Sequence, residues 1–81
     1  MSMTKALIQR NLKLAHEFDT YVIRHRGALK SLTGGVHIVL TSSADPKLSE
    51  ANRQIVKNRK IRKLVEAHKA GKKWTLTRLR G

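Results

Sequence analysis

The sequence predicts a small α/β protein with the element order helix, strand, helix, strand. Three features predict this class: an opening segment with apolar residues at helical spacing, a β-branched apolar run after a Gly-Gly pair, and an Asp-Pro start to a second helical segment. The 81 residues make a single domain, 1–81. A chain of this size buries only about 60% of the surface that its unfolded state exposes, so its core is expected to be marginal.

Residues 4–25 are predicted to form the first helix. Leu7, Leu14, Phe18 and their apolar neighbours fall within one arc that covers more than half of the helix circumference. A helix that packs against one neighbour needs a narrower apolar stripe than this arc. This helix is therefore expected to pack against two neighbours, one of them a second subunit. A short helical turn is predicted over 26–35, where glycines end it.

The run Val36–Leu40 is predicted to be a buried strand because it is apolar, β-branched and preceded by Gly-Gly. A second helix is predicted over 46–70, ending at the next glycine. Asp45 suits the N-cap, where a carboxylate accepts hydrogen bonds from free N–H groups, and Pro46 suits the first helical position. Residues 72–80 are predicted to form the second strand.

The apolar face of this second helix does not continue along its whole length. Leu48, Ala51 and Ile55 set one face, and the positions that would extend it are all charged. A second apolar cluster lies roughly 120° around the helix. Either the helix breaks near 57–60, or it is continuous and its two halves face different neighbours; the sequence leaves both open.

Two strands joined by a helix are expected to lie parallel through a right-handed crossover. Two strands alone make a poor sheet, so edge-to-edge pairing of two copies is expected to complete four strands. A homodimer is therefore predicted. Asn11 and Asn52 each fall on an apolar helical face, where an amide needs a partner, and they are expected to bond each other, a loop or a second subunit.

Several short motifs resemble those of a known family. Residues 11–22 read N-L-K-L-A-H-E-F-D-T-Y-V. This is similar to the N-L-x-L-A-x-E-F-x-x-Y-V opening of a family of short, uncharacterised bacterial and archaeal proteins. The segments 35–40 and 45–48, with Asn52 after them, resemble that family's strand, D-P-x-L turn and following helix. The resemblance implies the αβαβ fold, and it implies no activity.

The charge balance favours a polyanionic partner without identifying it. Eighteen lysines and arginines against five acids give a net charge of +13, with a pI near 11.4. Such an excess attracts polyanions, so nucleic acid, whether DNA or RNA, is the leading expectation. An acidic protein partner and a merely solvated surface remain open. The predicted anion-binding residues are Arg53, Lys57, Arg59, Lys60, Arg62, Lys63, Lys72 and Lys73, which helical spacing would arrange in rows.

The alternative is a protein-interaction or regulatory module that docks onto an acidic partner. The second apolar cluster would then be the centre of the contact, with the basic residues at its rim. A further alternative is that the cluster only completes the homodimer. This predicted interface consists of Ile61, Leu64, Val65 and His68.

Base-specific recognition is not predicted, because single-strand binders stack bases on aromatic platforms and the chain has few aromatic residues. Phe18 and Tyr21 are assigned to the core, and Trp74 is assigned there in preference to a stacking role. Binding is therefore expected to be electrostatic and weakly selective.

Other classes of function find little support in the sequence. The four histidines are scattered, cysteine is absent, and the five acids are too dispersed for a general acid–base pair. No catalytic residue, metal site or cofactor is predicted. The opening residues lack a continuous apolar stretch, and the longest apolar run is too short to cross a bilayer, so a cytoplasmic location without membrane association is expected.

Overall fold

A computed structural model describes residues 4–25, 27 and 35–80 of the chain. These residues form two helices and one three-stranded sheet, which confirms the predicted mixed α/β class. The predicted turn over 26–35 lies almost entirely outside the described residues. In chain order the elements are α1 (Lys5–Arg24), β1 (His37–Ser42), α2 (Pro46–Lys57), β2 (Leu64–Ala70) and β3 (Lys73–Arg80).

The second helix is shorter than predicted. It begins at Pro46 behind the Asp45 cap, as expected, but it ends at Lys57, and residues 64–70 form a strand. Of the two alternatives that the sequence left open, the break is correct. The change of apolar face after Ile55 marks the end of the helix, because Leu64, Val65 and Ala67 are buried in the central strand of the sheet.

The extra strand changes the topology of the sheet. The strand order is β1-β2-β3, with β1 and β2 parallel through α2 and with β2 and β3 antiparallel. The predicted parallel pairing of the first and last strands is therefore wrong, because β2 lies between them. Gly71, read from the sequence as a helix stop, adopts a φ of 65° in the two-residue turn of the β2–β3 hairpin. A positive φ at the first central residue alone is typical of a type II′ turn.

Helix α1 packs against one face of the sheet. Thr4 caps it by accepting a hydrogen bond from the backbone N–H of Leu7 at 3.2 Å. Leu7 and Leu14 form a buried cluster with Leu48 of α2, and the side chains of Leu40, Ala51 and Trp74 pack against this cluster.

Helix α2 covers the outer edge of β1 with polar side chains. Ser49 Oγ accepts a hydrogen bond from the Ser42 backbone N–H at 2.8 Å and lies 3.0 Å from the Ser42 carbonyl oxygen. Asn52 donates to the Leu40 carbonyl at 2.8 Å and to Asn11 Oδ1 at 3.0 Å. The two asparagines therefore bond each other, one of the arrangements that the sequence predicted. Their contacts occupy backbone groups that would otherwise be free to pair with another strand.

The homodimer stays a prediction, and the sheet no longer requires it. The chain supplies three strands of its own, so a second copy is not needed to complete a minimal sheet. The wide apolar arc of α1 does leave large side chains in solvent: Ile8, Leu12 and Ile23 are 46, 66 and 71% exposed. No helix in the described part of the chain is long and apolar enough to span a membrane.

Candidate nucleic-acid interface

The most basic segment of the chain runs from the last residue of α2 to the start of β2. We call residues 57–63, K-N-R-K-I-R-K, the basic loop. All five of its cations are exposed, while Ile61 is partly buried. The cationic side chains are Lys57, Arg59, Lys60, Arg62 and Lys63.

Short hydrogen bonds shape the basic loop. The Arg59 N–H donates to the Val56 carbonyl at 3.2 Å, and the Ile61 N–H donates to the Arg59 carbonyl at 3.1 Å. From β3, the Arg80 guanidinium donates to the carbonyl oxygens of Arg59 and Ile61, at 3.1 and 3.4 Å. A cation from the last strand thus fixes the backbone of the loop and leaves the loop's own cations pointing outward.

No cation of the basic loop forms an ion pair with a carboxylate within residues 4–25, 27 and 35–80. Three of the chain's acids are paired elsewhere: Asp45 with Arg10 at 2.7 Å, Glu17 with Lys69 at 2.7 Å, and Glu66 with Arg53 at 3.2 Å. The remaining two acids, Asp19 and Glu50, lie on the helices. The positive charge of the loop is therefore uncompensated by protein groups in the described structure.

A shallow cleft of about 380 Å³ opens beside the loop. The start of β1 forms its other side, through Gly35 and the exposed His37. Lys60, Arg62 and Lys63 line it, so an anion in the cleft would face several cations at once.

The predicted anion-binding residues do not form one surface. Their arrangement in helical rows is wrong, since only Arg53 and Lys57 belong to α2. Lys72 and Lys73 lie at the β2–β3 turn, and the basic loop precedes the other end of β2. The seven residues of β2 separate these two groups by about 20 Å.

Arg53 belongs to a polar network on the sheet face opposite α1. Its Nη2 donates to Glu66 Oε2 at 3.2 Å, and the Thr41 hydroxyl donates to the same oxygen at 2.9 Å. His68 Nδ1 lies 2.7 Å from the Thr41 hydroxyl oxygen. Burial raises the pKa of Glu66, but the hydrogen bonds from Arg53 and Thr41 outweigh it and hold this pKa below its ordinary value. Arg53 is therefore already engaged by a carboxylate.

The alternative interface is not an exposed apolar patch. Leu64 and Val65 are each 2% exposed and belong to the core of the sheet, so neither can meet a partner in this fold. The prediction placed them on a helix, and it is corrected by their position in the central strand. Ile61 is partly buried in the basic loop, and His68 belongs to the polar network with Thr41.

A cluster of aromatic rings was not predicted from the sequence as a site. Phe18 is buried, as expected, but Tyr21 and Trp74 are only partly buried. His25 stacks on Tyr21 with 4.5 Å between ring centroids. The i, i+4 spacing of Tyr21 and His25 is a sequence signal for this pair, but the contact with Trp74 depends on the β2–β3 hairpin, which the sequence did not predict.

The described chain is therefore a small mixed α/β protein with an uncompensated basic loop and no grouping of three histidines or acids close enough to hold a metal ion. Residues 6–66 match DUF5647, a family of unknown function, and the chain belongs to this family. The match extends from α1 into β2 and includes the basic loop. No curated protein and no solved structure gives a significant match to the chain.

Proposed function

We propose that this protein binds nucleic acid without catalysis, and that the basic loop makes the main contacts with the phosphate backbone. The observation that carries the proposal is the set of five exposed loop cations with no carboxylate partner among the described residues. Like charges held this close repel one another unless a polyanion opposes them. Phosphates of nucleic acid provide that opposition, and their neutralisation releases counterions.

The loop favours binding that is weakly selective. Its seven residues contain no aromatic side chain on which a base could stack and no acid to accept from cytosine. Lysine and arginine contacts to phosphate fix position on the strand but carry no sequence information. The same loop is expected to bind DNA and RNA.

An acidic protein is the less favoured partner. Stable protein interfaces need an apolar centre inside a polar rim. The residues that would have supplied it, Leu64 and Val65, are buried within the sheet. The loop offers only the partly buried Ile61 in their place.

Fluorescence anisotropy with labelled single- and double-stranded DNA and RNA, from about 50 to 200 mM salt, tests the proposal. The triple variant Lys57→Gln/Lys60→Gln/Lys63→Gln removes three loop charges at exposed positions. On duplex DNA, affinity falls as salt rises, and this variant should reduce the magnitude of the slope of log affinity against log salt by about 3, one for each lost phosphate contact.

A matched control removes three exposed lysines of α1 and α2, through Lys5→Gln/Lys13→Gln/Lys47→Gln. Both variants have the same net charge, so a general attraction to the whole protein would weaken equally in the two. Equal weakening, or no binding by the unmodified protein at low salt, would overturn the assignment of the basic loop. Capture of an acidic protein with no affinity for nucleic acid would favour the alternative partner.

A further inference from the structure

A second cleft, of about 350 Å³, lies between the last turns of α1 and the β2–β3 hairpin. Ligand sites for small molecules begin at about 300 Å³. Aromatic rings and cations line it together: Tyr21, Arg24, His25, Lys72 and Trp74. We propose that this cleft binds a nucleobase that carries a phosphate group, either as a free nucleotide or as an exposed nucleotide of a single strand.

The rings form a supported surface on which a base can stack. Trp74 lies 5.1 Å from the buried ring of Phe18 and 6.1 Å from Tyr21, measured between ring centroids. Phe18 packs against the indole at an angle of 57°, and Trp74 stays partly accessible from the cleft. The exposed His25 ring already stacks on one face of Tyr21, so a base would stack on Trp74 or on His25. Each base stacked on an aromatic side chain contributes binding energy whatever its sequence, because every base has a π face.

Two cations line the same cleft as the rings and could bind the phosphate of a stacked nucleotide. Arg24 ends α1 and Lys72 occupies the hairpin turn, and both are exposed. Neither forms an ion pair with a carboxylate in the described part of the chain. The cleft has one acid of its own, Glu17, but Lys69 neutralises it at 2.7 Å. The charged side chains that line the cleft therefore sum to a net positive charge, which favours a phosphate.

The arrangement suits a nucleotide better than a polyanion without bases. Phosphate alone would gain nothing from Tyr21 and Trp74, and an apolar ligand would gain nothing from Arg24 and Lys72. The cleft lies about 20 Å from the basic loop, at the opposite end of β2. The single-strand form of this inference rests on the proposed function of that loop, whereas binding of a free nucleotide does not.

Trp74 is the only tryptophan in the chain, so its fluorescence reports directly on the cleft. The titration uses adenosine monophosphate, a short single-stranded oligonucleotide, and tripolyphosphate as a ligand without a base. Both base-containing ligands should quench the fluorescence, and tripolyphosphate should not. Quenching by the mononucleotide alone assigns the site to free nucleotides, and quenching by the oligonucleotide alone assigns it to a strand.

The variant Arg24→Gln/Lys72→Gln should weaken the quenching interaction by about tenfold or more, since it removes two charge-assisted contacts to phosphate. The matched control Lys5→Gln/Lys47→Gln removes two exposed lysines elsewhere and should bind like the unmodified protein. Equal quenching by tripolyphosphate, no quenching by either base-containing ligand, or unchanged affinity of the Arg24 and Lys72 variant would overturn the inference.

The loop triple variant separates the two proposals. It should leave quenching by adenosine monophosphate unchanged while it weakens duplex binding. If the triple variant binds duplex as tightly as the unmodified protein while adenosine monophosphate still quenches Trp74, only the proposed function of the loop is wrong. If the triple variant binds duplex more weakly but adenosine monophosphate does not quench Trp74, only the nucleotide cleft is wrong.

Discussion

Asn52 on α2 donates a hydrogen bond to the backbone carbonyl of Leu40 on β1, across 2.8 Å. The Leu40 carbonyl faces away from β2 on an edge strand, so its hydrogen-bond partner must come from outside the sheet. Asn52 is 7% exposed and also donates to Asn11 Oδ1 on α1. One amide therefore connects the sheet edge to both helices.

Replacing this amide should destabilise the fold. Asn52→Ala leaves the Leu40 carbonyl and the Asn11 amide without their partner, at a cost of about 1–3 kcal/mol in the free energy of unfolding. Asn11→Ala keeps the bond to Leu40 and should cost less, on the order of 0.5–1.5 kcal/mol. Urea unfolding of both variants measures the difference. Equal losses of unfolding free energy in the two variants would show that the bond from Asn52 to the Leu40 carbonyl does not stabilise the fold.

A second prediction concerns residues 64–70, which form the central strand β2. Leu64 is 2% exposed in the central strand, so Leu64→Ala should lower the free energy of unfolding by about 2–5 kcal/mol through lost burial and a cavity. Arg62→Gln, two residues earlier in the exposed loop, should change stability by no more than about 0.5 kcal/mol. A small loss at Leu64 would indicate that the segment is not part of the core.

Parts of the fold follow from the sequence because local signals agree with the final structure. The apolar spacing of α1 and the Asp45–Pro46 helix start gave boundaries within about two residues of those observed. The sequence also resembles a family of uncharacterised proteins, and the family that matches the chain is indeed one of unknown function.

The rest depends on tertiary contacts. The segment 64–70, L-V-E-A-H-K-A, contains mostly good helix formers, and only Val65 is β-branched. It forms a strand because β1 and β3 flank it, and pairing outweighs intrinsic propensity. The same segment would place the basic residues on one helix face, whereas the structure divides them among α2, the basic loop and the β2–β3 hairpin.

The polar network around Glu66 predicts how stability responds to acid. Hydrogen bonds from Arg53 and Thr41 keep the pKa of Glu66 below its ordinary value of 4.5 in the folded protein. The corresponding stabilisation is therefore complete above about pH 5 and is lost as the pH falls through the folded pKa. Thermal unfolding between about pH 6 and pH 3 measures this loss.

The variant Glu66→Gln should flatten that pH dependence, because it removes the titrating group. Some pH dependence of stability should remain in this variant, since the Arg10 guanidinium holds the pKa of Asp45 below its ordinary value in the same way. Asp19→Asn provides the control, as this exposed carboxylate makes no ion pair in the described structure. A pH profile of Glu66→Gln identical to that of the unmodified protein would contradict the role of the network.

Arg80 should affect nucleic-acid binding without belonging to the basic loop. Its guanidinium donates to the carbonyl oxygens of Arg59 and Ile61, at 3.1 and 3.4 Å, and so holds the loop backbone in one arrangement. Both bonds come from one nitrogen, Nη1, and Arg80→Lys keeps the charge but replaces the planar guanidinium with a compact, strongly hydrated ammonium on a flexible stem. The loop should then open more easily. It would lose more conformational entropy on binding, which should weaken the affinity for nucleic acid by severalfold.

Two measurements separate this effect of Arg80 from the effect of charge. Amide hydrogen exchange at Arg59 and Ile61 should accelerate in Arg80→Lys, whereas exchange in the centre of β2 should not. The salt slope of binding should stay close to that of the unmodified protein, because no cation is lost. Weaker affinity with unchanged exchange would mean that the Arg80 guanidinium contacts a phosphate itself, where lysine is a poorer substitute. Unchanged exchange together with unchanged affinity would mean that the loop keeps its shape without Arg80.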